Sequence, residues 1–338
     1  MTSVSVIVPT FNMAEHLQAL WQSLLLSETL KIVDEVIFVD DGSTDDTVKV
    51  IESLRQQPSG EKVKIVALIK NQGRFQARWA GGKAAKGEAL LFMDARVELK
   101  EDFGQVLSQS LKHSLFIQPQ SLIDVQRNWF CLYWVRSHEW IFSRHFKAMK
   151  QGPFELTSAN YDHYLKGTTA LIAPRLLFNQ TCQALEQSTV LSDDTLVMKK
   201  MVESVPLRLD PQLLVRWIPR ETFWAFLLRL VDRGPGLVEY HVFIRRGWIF
   251  AAISVGLLML FAIVVLLFFS PQISGLLLIL IFAAIIVSAR LMAQSTIESL
   301  RLLPLHAAVI VSVSLGVLWG LWVNTRRWIK GEFQTLQA

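Results

Sequence analysis

Val36-Ile37-Phe38-Val39-Asp40-Asp41-Gly42-Ser43-Thr44-Asp45-Asp46-Thr47 is the stretch that decides the fold. Four apolar residues, Val36 to Val39, read as a buried strand, and Gly42-Ser43 reads as the break after it. Thr44 or Asp45 then caps a helix running through Val48, Ile51 and Leu54. In an open α/β sheet, ligands sit beyond the carboxyl ends of the strands, which is where Asp40 and Asp41 fall. Acids there repel a bare phosphate. They suit the hydroxyls of a nucleoside, or a metal that carries a diphosphate. A strand that merely ends in a turn-forming Asp-Asp-Gly is the competing reading of the dipeptide.

The neighbouring segments repeat the same unit. Val4-Ser5-Val6-Ile7-Val8-Pro9-Thr10-Phe11-Asn12 is a strand and turn, and a helix follows through Leu17, Leu20, Leu24 and Leu25. Val63 to Leu68 is a third strand, followed by Asn71-Gln72-Gly73-Arg74 and a helical stretch from Ala77 to Gly82. Ala89-Leu90-Leu91-Phe92-Met93-Asp94 is a fourth strand ending in an acid. This β-α repetition predicts an α/β domain with a mostly parallel sheet and right-handed crossovers.

The order and spacing of these pieces resemble the family 2 glycosyltransferases and their nucleotide-sugar-binding fold, called GT-A. The matching residues are Pro9-Thr10-Phe11-Asn12, Val39 to Thr47, Asn71-Gln72-Gly73 with Ala77-Arg78 and Gly81, and Asp94. The resemblance covers residues 4 to 240 and is nearest to the succinoglycan- and capsule-type bacterial enzymes. It implies that a nucleotide-sugar donor lies against Pro9, Asn12, Asp40, Asp41 and Arg78.

Asp94-Ala95-Arg96 departs from the Asp-x-Asp that commonly ends this strand in the family. There the acid binds a divalent metal, Mn2+ or Mg2+, on the donor diphosphate. Arginine has no acceptor and cannot ligate a metal, but it can grip a phosphate bidentately. The resemblance therefore leaves the metal to Asp94, with water and other groups, and gives Arg96 to a diphosphate oxygen. A surface pair of Asp94 with Arg96 is the alternative.

Asp193-Asp194 stands at the start of a helical run. Family members carry Glu-Asp or Asp-Asp here, and the second acid is the general base. That role falls on Asp194, with Asp193 beside the donor. Ser192 or Asp193 as a simple N-cap explains the same pattern. Lys166-Gly167-Thr168-Thr169 precedes an apolar strand and corresponds to a family segment that borders the sugar pocket. Arg229-Leu230-Val231-Asp232-Arg233-Gly234 partly matches an Arg-Gln-x-x-Arg-x-Gly segment that closes over the diphosphate, which would be the role of Arg229 and Arg233. A basic juxtamembrane anchor is the competing reading.

The 338 residues carry a formal net charge of +5 and a mean hydropathy of 0.34. The cations form no run of the kind that binds nucleic acid; a basic side facing anionic lipid is the more natural use. Cys131 and Cys182 lack metal-site or disulfide spacing. The apolar excess lies at the C-terminal end, which predicts a transmembrane region over 241–330 after a GT-A domain over 1–240. The spans read as 248–269, 273–290 and 305–324, the last containing Gly316-xxx-Gly320, a spacing that permits close helix contact. Asn128 to Phe142, rich in Trp and Tyr, reads as an interfacial helix near the acceptor or as a buried packing helix.

No signal peptide opens the sequence, so the catalytic region is expected on the cytoplasmic side of the cell membrane. Arg245-Arg246, Arg290 and Arg301 agree with that side. Arg326, Arg327 and Lys330 disagree if three full spans precede them: either the second or the last segment is re-entrant, or the charge rule is broken here.

The reading that results is an inverting, membrane-anchored glycosyltransferase. Its partners are a nucleotide-sugar donor, a lipid-linked acceptor and membrane lipid. The acceptor is a hydroxyl of a lipid-linked glycan or, alternatively, polyprenyl phosphate itself, as in dolichyl-phosphate mannose synthase-like enzymes. A non-catalytic scaffold that binds nucleotide sugar is the reading from another class, and Arg96 is its main support.

Overall fold

The structure is a computed structural model that describes residues 2–186, 190–191, 193–219, 222–245 and 247–333; the side chain of Asp193 is also outside that description. Thr189, Ser192 and Arg246 therefore lie outside the described residues. The sequence reading drew its boundary at residue 240. The compact units are residues 1–124 with 142–219, and residues 125–141 with 220–338.

The described residues of the first unit form nine strands: β1 Val4–Thr10, β2 Glu35–Asp40, β3 Val63–Ala67, β4 Ala89–Met93, β5 Val97–Leu99, β6 Ile117–Leu122, β7 Phe154–Leu156, β8 Ala170–Pro174 and β9 Leu207–Trp217. Their order is β3-β2-β1-β4-β8-β6-β9-β5, with β7 also on β9. Every residue of β2 and β4 is buried, because helices cover both faces of a parallel sheet and its strands become continuous apolar runs. The helix Ala14–Leu26 buries Leu17, Leu20, Trp21 and Leu24, one stripe at helical spacing. The helix Arg74–Ala84 lies so close to the sheet that a Cβ on Gly81 would sit 2.4 Å from the Ile7 side chain.

Pairings β3-β2, β2-β1 and β1-β4 are parallel. Beyond β4 the sheet is mixed: β8 runs antiparallel to β4 and β6, β9 runs parallel to β6, and β5 and β7 run antiparallel to β9. The strand order reverses direction between β1 and β4, and such a switch point opens a crevice at the carboxyl ends. The register Thr10↔Asp40 brings the ends of β1 and β2 to one level on that edge.

The second unit is helical. It comprises the helices Trp129–Ile141, Phe223–Asp232 and Gly234–Val238, a π-helical turn Glu239–Ile244, and the helices Trp248–Phe269, Pro271–Met292 and Thr296–Ile329. The last three are long and apolar enough to cross a membrane, by length and composition. Trp129–Ile141 joins this unit because its aromatic side packs here: Tyr133 enters a buried cluster with Phe226, Leu302 and Leu305, and Phe130 stacks on Phe226 at 5.3 Å.

Candidate functional site

The turn after β1 is tied to the loop after β2. Asn12 leaves the strand at φ 54°, and its backbone N–H donates to Ser43 Oγ at 2.9 Å. Its side-chain oxygen accepts the Thr44 N–H at 2.8 Å. The Met13 N–H donates to Thr47 Oγ1 at 2.8 Å. Asp45 accepts from the Thr47 N–H at 3.0 Å and the Ala14 N–H at 3.3 Å. Slight burial pushes the Asp45 carboxyl up, but the Thr47 and Ala14 donors outweigh it and hold it below the usual carboxylate range. Pro9, half-buried in β1, pairs in register with Val39.

Asp40 and Asp41 are both buried at the end of β2. Asp40 accepts the Ser43 N–H at 3.2 Å and so closes its own turn. Asp41 reaches the other way, accepting the Gln72 N–H at 2.7 Å and the Gly73 N–H at 2.9 Å. Burial pushes the Asp41 carboxyl above its ordinary value; the two N–H donors oppose the rise and the neighbouring Asp40 adds to it. Between the acids and Ser43, Gly42 sits at φ 72°, and a Cβ there would fall 2.8 Å from the Asn71 nitrogen. Only glycine satisfies both the backbone angle and the space.

Asp94 follows β4. Its N–H donates to the Thr169 carbonyl at 2.9 Å, which fixes it beside the start of β8. Its Oδ1 accepts the Arg96 N–H at 3.2 Å. The Arg96 guanidinium carbon lies 5.8 Å from the centre of the Trp217 ring, and the Arg96 carbonyl accepts the Ile218 N–H at 3.0 Å. Among the described residues, no three His, Cys, Asp or Glu side chains gather as a metal cage. Asp94 fits the other common arrangement, one carboxylate with the remaining oxygens supplied by substrate phosphates and water.

Arg78 is half-buried and borders a small apolar pocket with Phe75 and Thr168, opposite Val197 and Met198 of the helix Asp193–Val202. Asp194 stands in the first turn of that helix and is half-buried. Its Oδ1 lies 3.5 Å from Thr195 Oγ1, and Tyr161 donates its hydroxyl to the Thr195 carbonyl at 2.8 Å. A helix N-terminus favours the charged form of an acid placed there. The Gly167 N–H donates to Gln118 Oε1 at 3.1 Å, and no atom lies within 4 Å of where its Cβ would be.

Arg229 and Arg233 belong to the second unit. Arg229 is in the last turn of Phe223–Asp232, and the Arg233 guanidinium carbon lies 5.1 Å from the Trp134 ring centre. His138 stacks on Trp134, with ring centres 4.5 Å apart. Burial pushes its pKa down to about 4, against a hydrogen bond with the Trp134 carbonyl and together with the Arg233 charge.

Sequence reasoning missed Trp217 beside Arg96. The two meet because Val97 and Trp217 are register partners across β5 and β9, a pairing no local signal announces. It also missed that Asp41 spends both oxygens on the loop after β3. The turn sequence Asn71-Gln72-Gly73, which requires outside acceptors for its N–H groups, was the available clue.

Comparison with known proteins gives this edge of the sheet its context. Residues 5–157 match the family model described as glycosyl transferase family 2. Over 98 residues the chain is 37% identical to a dolichyl-phosphate beta-glucosyltransferase of Drosophila melanogaster, covering 27% of this chain and 30% of that protein. Over 101 residues it is 33% identical to an undecaprenyl-phosphate 4-deoxy-4-formamido-L-arabinose transferase of Edwardsiella ictaluri, covering 28% of this chain and 29% of that protein. The match thus spans under a third of the length of these curated relatives. Among solved structures, the mannosyltransferase PcManGT from Pyrobaculum calidifontis, in complex with GDP-Man and Mn2+, superposes with a TM-score of 0.54 at 16% identity, covering 94% of this chain and 87% of that one. That likeness establishes the GT-A fold. The family match, over residues 5–157, is to the family 2 glycosyltransferases.

Proposed function

We propose that the chain moves a sugar, with inversion, from a nucleotide-sugar donor to a hydroxyl of a lipid-linked glycan at the cytoplasmic face of the cell membrane. The observation that supports this most is the gathering of Asn12, Asp40, Asp41 and Asp94 at the carboxyl ends of β1, β2 and β4, where open α/β sheets take nucleotides. Asp40 and Asp41 serve the base and ribose side of the donor. Arg78 and Arg96 are the cations of this unit offered to its diphosphate, and Pro9 and Asp193 border the donor.

A divalent cation held by Asp94, Mn2+ or Mg2+, would neutralise charge on the departing diphosphate. Asp194 takes the proton from the acceptor hydroxyl as that oxygen bonds to the anomeric carbon. The bond from that carbon to the diphosphate breaks on the opposite side, so configuration inverts. A general base must be ionised before that step.

A second reading has its own support. The two relatives above are named for transfer to dolichyl phosphate and undecaprenyl phosphate. A phosphate acceptor is already ionised and needs no base. The test is turnover by the purified full chain in lipid, with Mn2+, a panel of nucleotide sugars and either acceptor. Transfer from one donor to a lipid-linked glycan hydroxyl supports the first reading. Transfer to polyprenyl phosphate alone supports the second. Release of nucleotide from no donor overturns both.

A further inference from the structure

The helix Thr296–Ile329 has the length and composition of a span, but not the partners of one. Its buried face runs its whole length, from Ser299 and His306 through Ser312 and Gly316 to Asn324 and Arg327. Along most of that face these residues meet segments that precede the first apolar helix; near its start His306 Nε2 also lies 2.8 Å from Ser288 Oγ of Pro271–Met292. At one end, Arg136 Nε donates to Glu298 Oε1 at 2.8 Å, and the Tyr133 hydroxyl lies 2.8 Å from His306 Nδ1. In the middle, a Cβ on Gly234 would fall 1.9 Å from the Gly316 carbonyl oxygen. At the far end, Asn324 Nδ2 donates to the Pro235 carbonyl at 2.8 Å, and Arg327 Nη1 donates to Glu239 Oε1 at 2.7 Å. Glu239 is wholly buried in that pair.

The two preceding helices behave differently. Trp248–Phe269 and Pro271–Met292 are joined through Ser270 alone, and Ser274 Oγ donates to the Ile263 carbonyl at 3.2 Å. Most of their side chains are exposed and apolar, as lipid-facing helices require.

Parity then constrains the last helix. Glu239 stands shortly before Trp248, and Glu298 shortly after Met292. If each of the two helices crosses once, the chain returns to the face it left, so Glu239 and Glu298 share a face. Arg327 is paired with Glu239 and shares it too. Thr296–Ile329 therefore begins and ends on one side. Its 34 residues make it about 51 Å long, against an apolar core about 30 Å thick. Pro304 lies near its start, so the 25 residues after it form one arm too long to turn back within the bilayer, and a helix with both ends on one face lies along the surface. The competing arrangement sends residues 223–244 through the bilayer beside it, which would place Arg229, Asp232, Arg233 and Glu239 in hydrocarbon, where ionisable groups are costly.

We propose that Thr296–Ile329 lies in the membrane interface and does not cross it, so that the chain crosses twice and its last helix ends on the face from which Trp248 enters. The partner of its outer side is the lipid surface. Leu300, Val311, Leu315, Trp319, Trp322 and Trp328 are exposed there, and tryptophan concentrates at that depth of a bilayer. The Arg326 guanidinium carbon sits 3.9 Å from the Trp322 ring centre, a cation with its apolar neighbour at a water boundary. Arg326, Arg327 and Lys330 then fall on the same face as Arg245, in keeping with the charge rule, and Gly316-xxx-Gly320 seats the chain's own Gly234 rather than another copy.

Single cysteines test this in the full chain, labelled with a membrane-impermeant maleimide in sealed vesicles of either orientation. Lys49→Cys marks the chain before Trp248, Gln272→Cys the turn between the two spans, and Lys330→Cys the end of the last helix; all three positions are exposed. Native Cys131 and Cys182 are buried, and the unsubstituted chain sets the background. Lys330→Cys is expected to label in the same orientation as Lys49→Cys, and Gln272→Cys only in the opposite one. Lys330→Cys labelling together with Gln272→Cys would mean three crossings and overturn the proposal. Gln272→Cys labelling together with Lys49→Cys would mean that the hairpin does not cross, and overturns it as well.

Discussion

Asp41 Oδ2 accepts the backbone N–H of Gly73 at 2.9 Å. The bond joins the acidic end of β2 to the turn before the helix Arg74–Ala84, and the Gln72 N–H takes the other oxygen at 2.7 Å. A carboxylate in this position shapes the site before any donor arrives. Asp41→Ala leaves two N–H groups without their acceptor. A stranded buried donor costs about 1–3 kcal/mol, so this variant is expected to lower stability and donor affinity together. Asp94→Ala is the cleaner probe of donor and metal binding. Asp94 is half-buried and gives up one side-chain bond, from the Arg96 N–H at 3.2 Å. Its expected signature is loss of Mn2+-dependent donor binding with a Tm near that of the parent. Calorimetric titration beside a thermal melt reads both. Unchanged donor affinity in both variants would remove the assignment of this edge to the donor.

Gly42 and Gly73 both have positive φ, at 72° and 87°, yet they predict different outcomes. A Cβ at Gly42 meets the Lys70–Asn71 backbone at 2.8 Å, whereas none of the surrounding atoms lies within 4 Å of one at Gly73. Gly73→Ala meets no neighbouring atom and bears only the backbone penalty of φ 87° with ψ 166°, a region held essentially by glycine, about 1–3 kcal/mol. Gly42→Ala adds displacement of the loop that Asp41 holds, and is expected to destabilise by more and to weaken donor binding. Equal losses of stability in urea melts of the two variants would show that the close approach at Gly42 has no consequence.

Glu35 sets part of the acid limit of the fold. Its carboxylate is buried, which raises its pKa, but the Lys64 ammonium, the Ser5 hydroxyl at 2.6 Å and the Lys86 N–H at 2.7 Å more than reverse this and leave it lowered. A depressed carboxyl contributes stability above its unfolded-state value and loses it as pH falls through the folded one. Asp41, raised by burial, works in the opposite sense, its contribution improving as pH falls. Glu35→Gln removes the ionisable group while keeping an oxygen for Ser5 and Lys86. It is expected to cost about 1–3 kcal/mol at pH 7 and to flatten the fall of Tm below about pH 4.5. A variant melting curve parallel to that of the parent through this range would show that other carboxylates set the acid limb.

The parallel half of the sheet was legible because its strands advertise themselves. β2 and β4 are unbroken apolar runs ended by acids, and buried parallel strands have that character. The other half was not. β6 reads Ile-Gln-Pro-Gln-Ser-Leu, too polar to stand out, and β5 has three residues. The register of β6 against β9 slips after Pro119, which hides alternation from a periodicity count. The donor-side residues were legible as types and order; their partners were not. That Asp41 binds the loop after β3, or that Arg96 lies by Trp217, depends on pairing between strands far apart in sequence. In the second unit, the aromatic content of Trp129–Ile141 was plain, but its place beside helices more than 80 residues later rests on Tyr133 and Arg136 finding His306 and Glu298.

Asp194 decides between the two acceptors. A general base acts on the acceptor and leaves donor binding alone. Asp194→Asn keeps the shape of the side chain and its place in the first turn of the helix, and asparagine serves a helix start about as well as aspartate. Donor affinity and Tm are therefore expected to stay close to those of the parent. Transfer to a glycan hydroxyl should fall by roughly 10²-fold or more, and the loss should appear in kcat, because the proton moves only in the transition state. With polyprenyl phosphate as acceptor there is no proton to remove, and the same variant should keep most of its activity. Comparing the variant on both acceptors under saturating donor separates the cases. Near-normal kcat on a verified hydroxyl acceptor would leave Asp194 as a helix-start acid and move the search for the base elsewhere in the sheet unit.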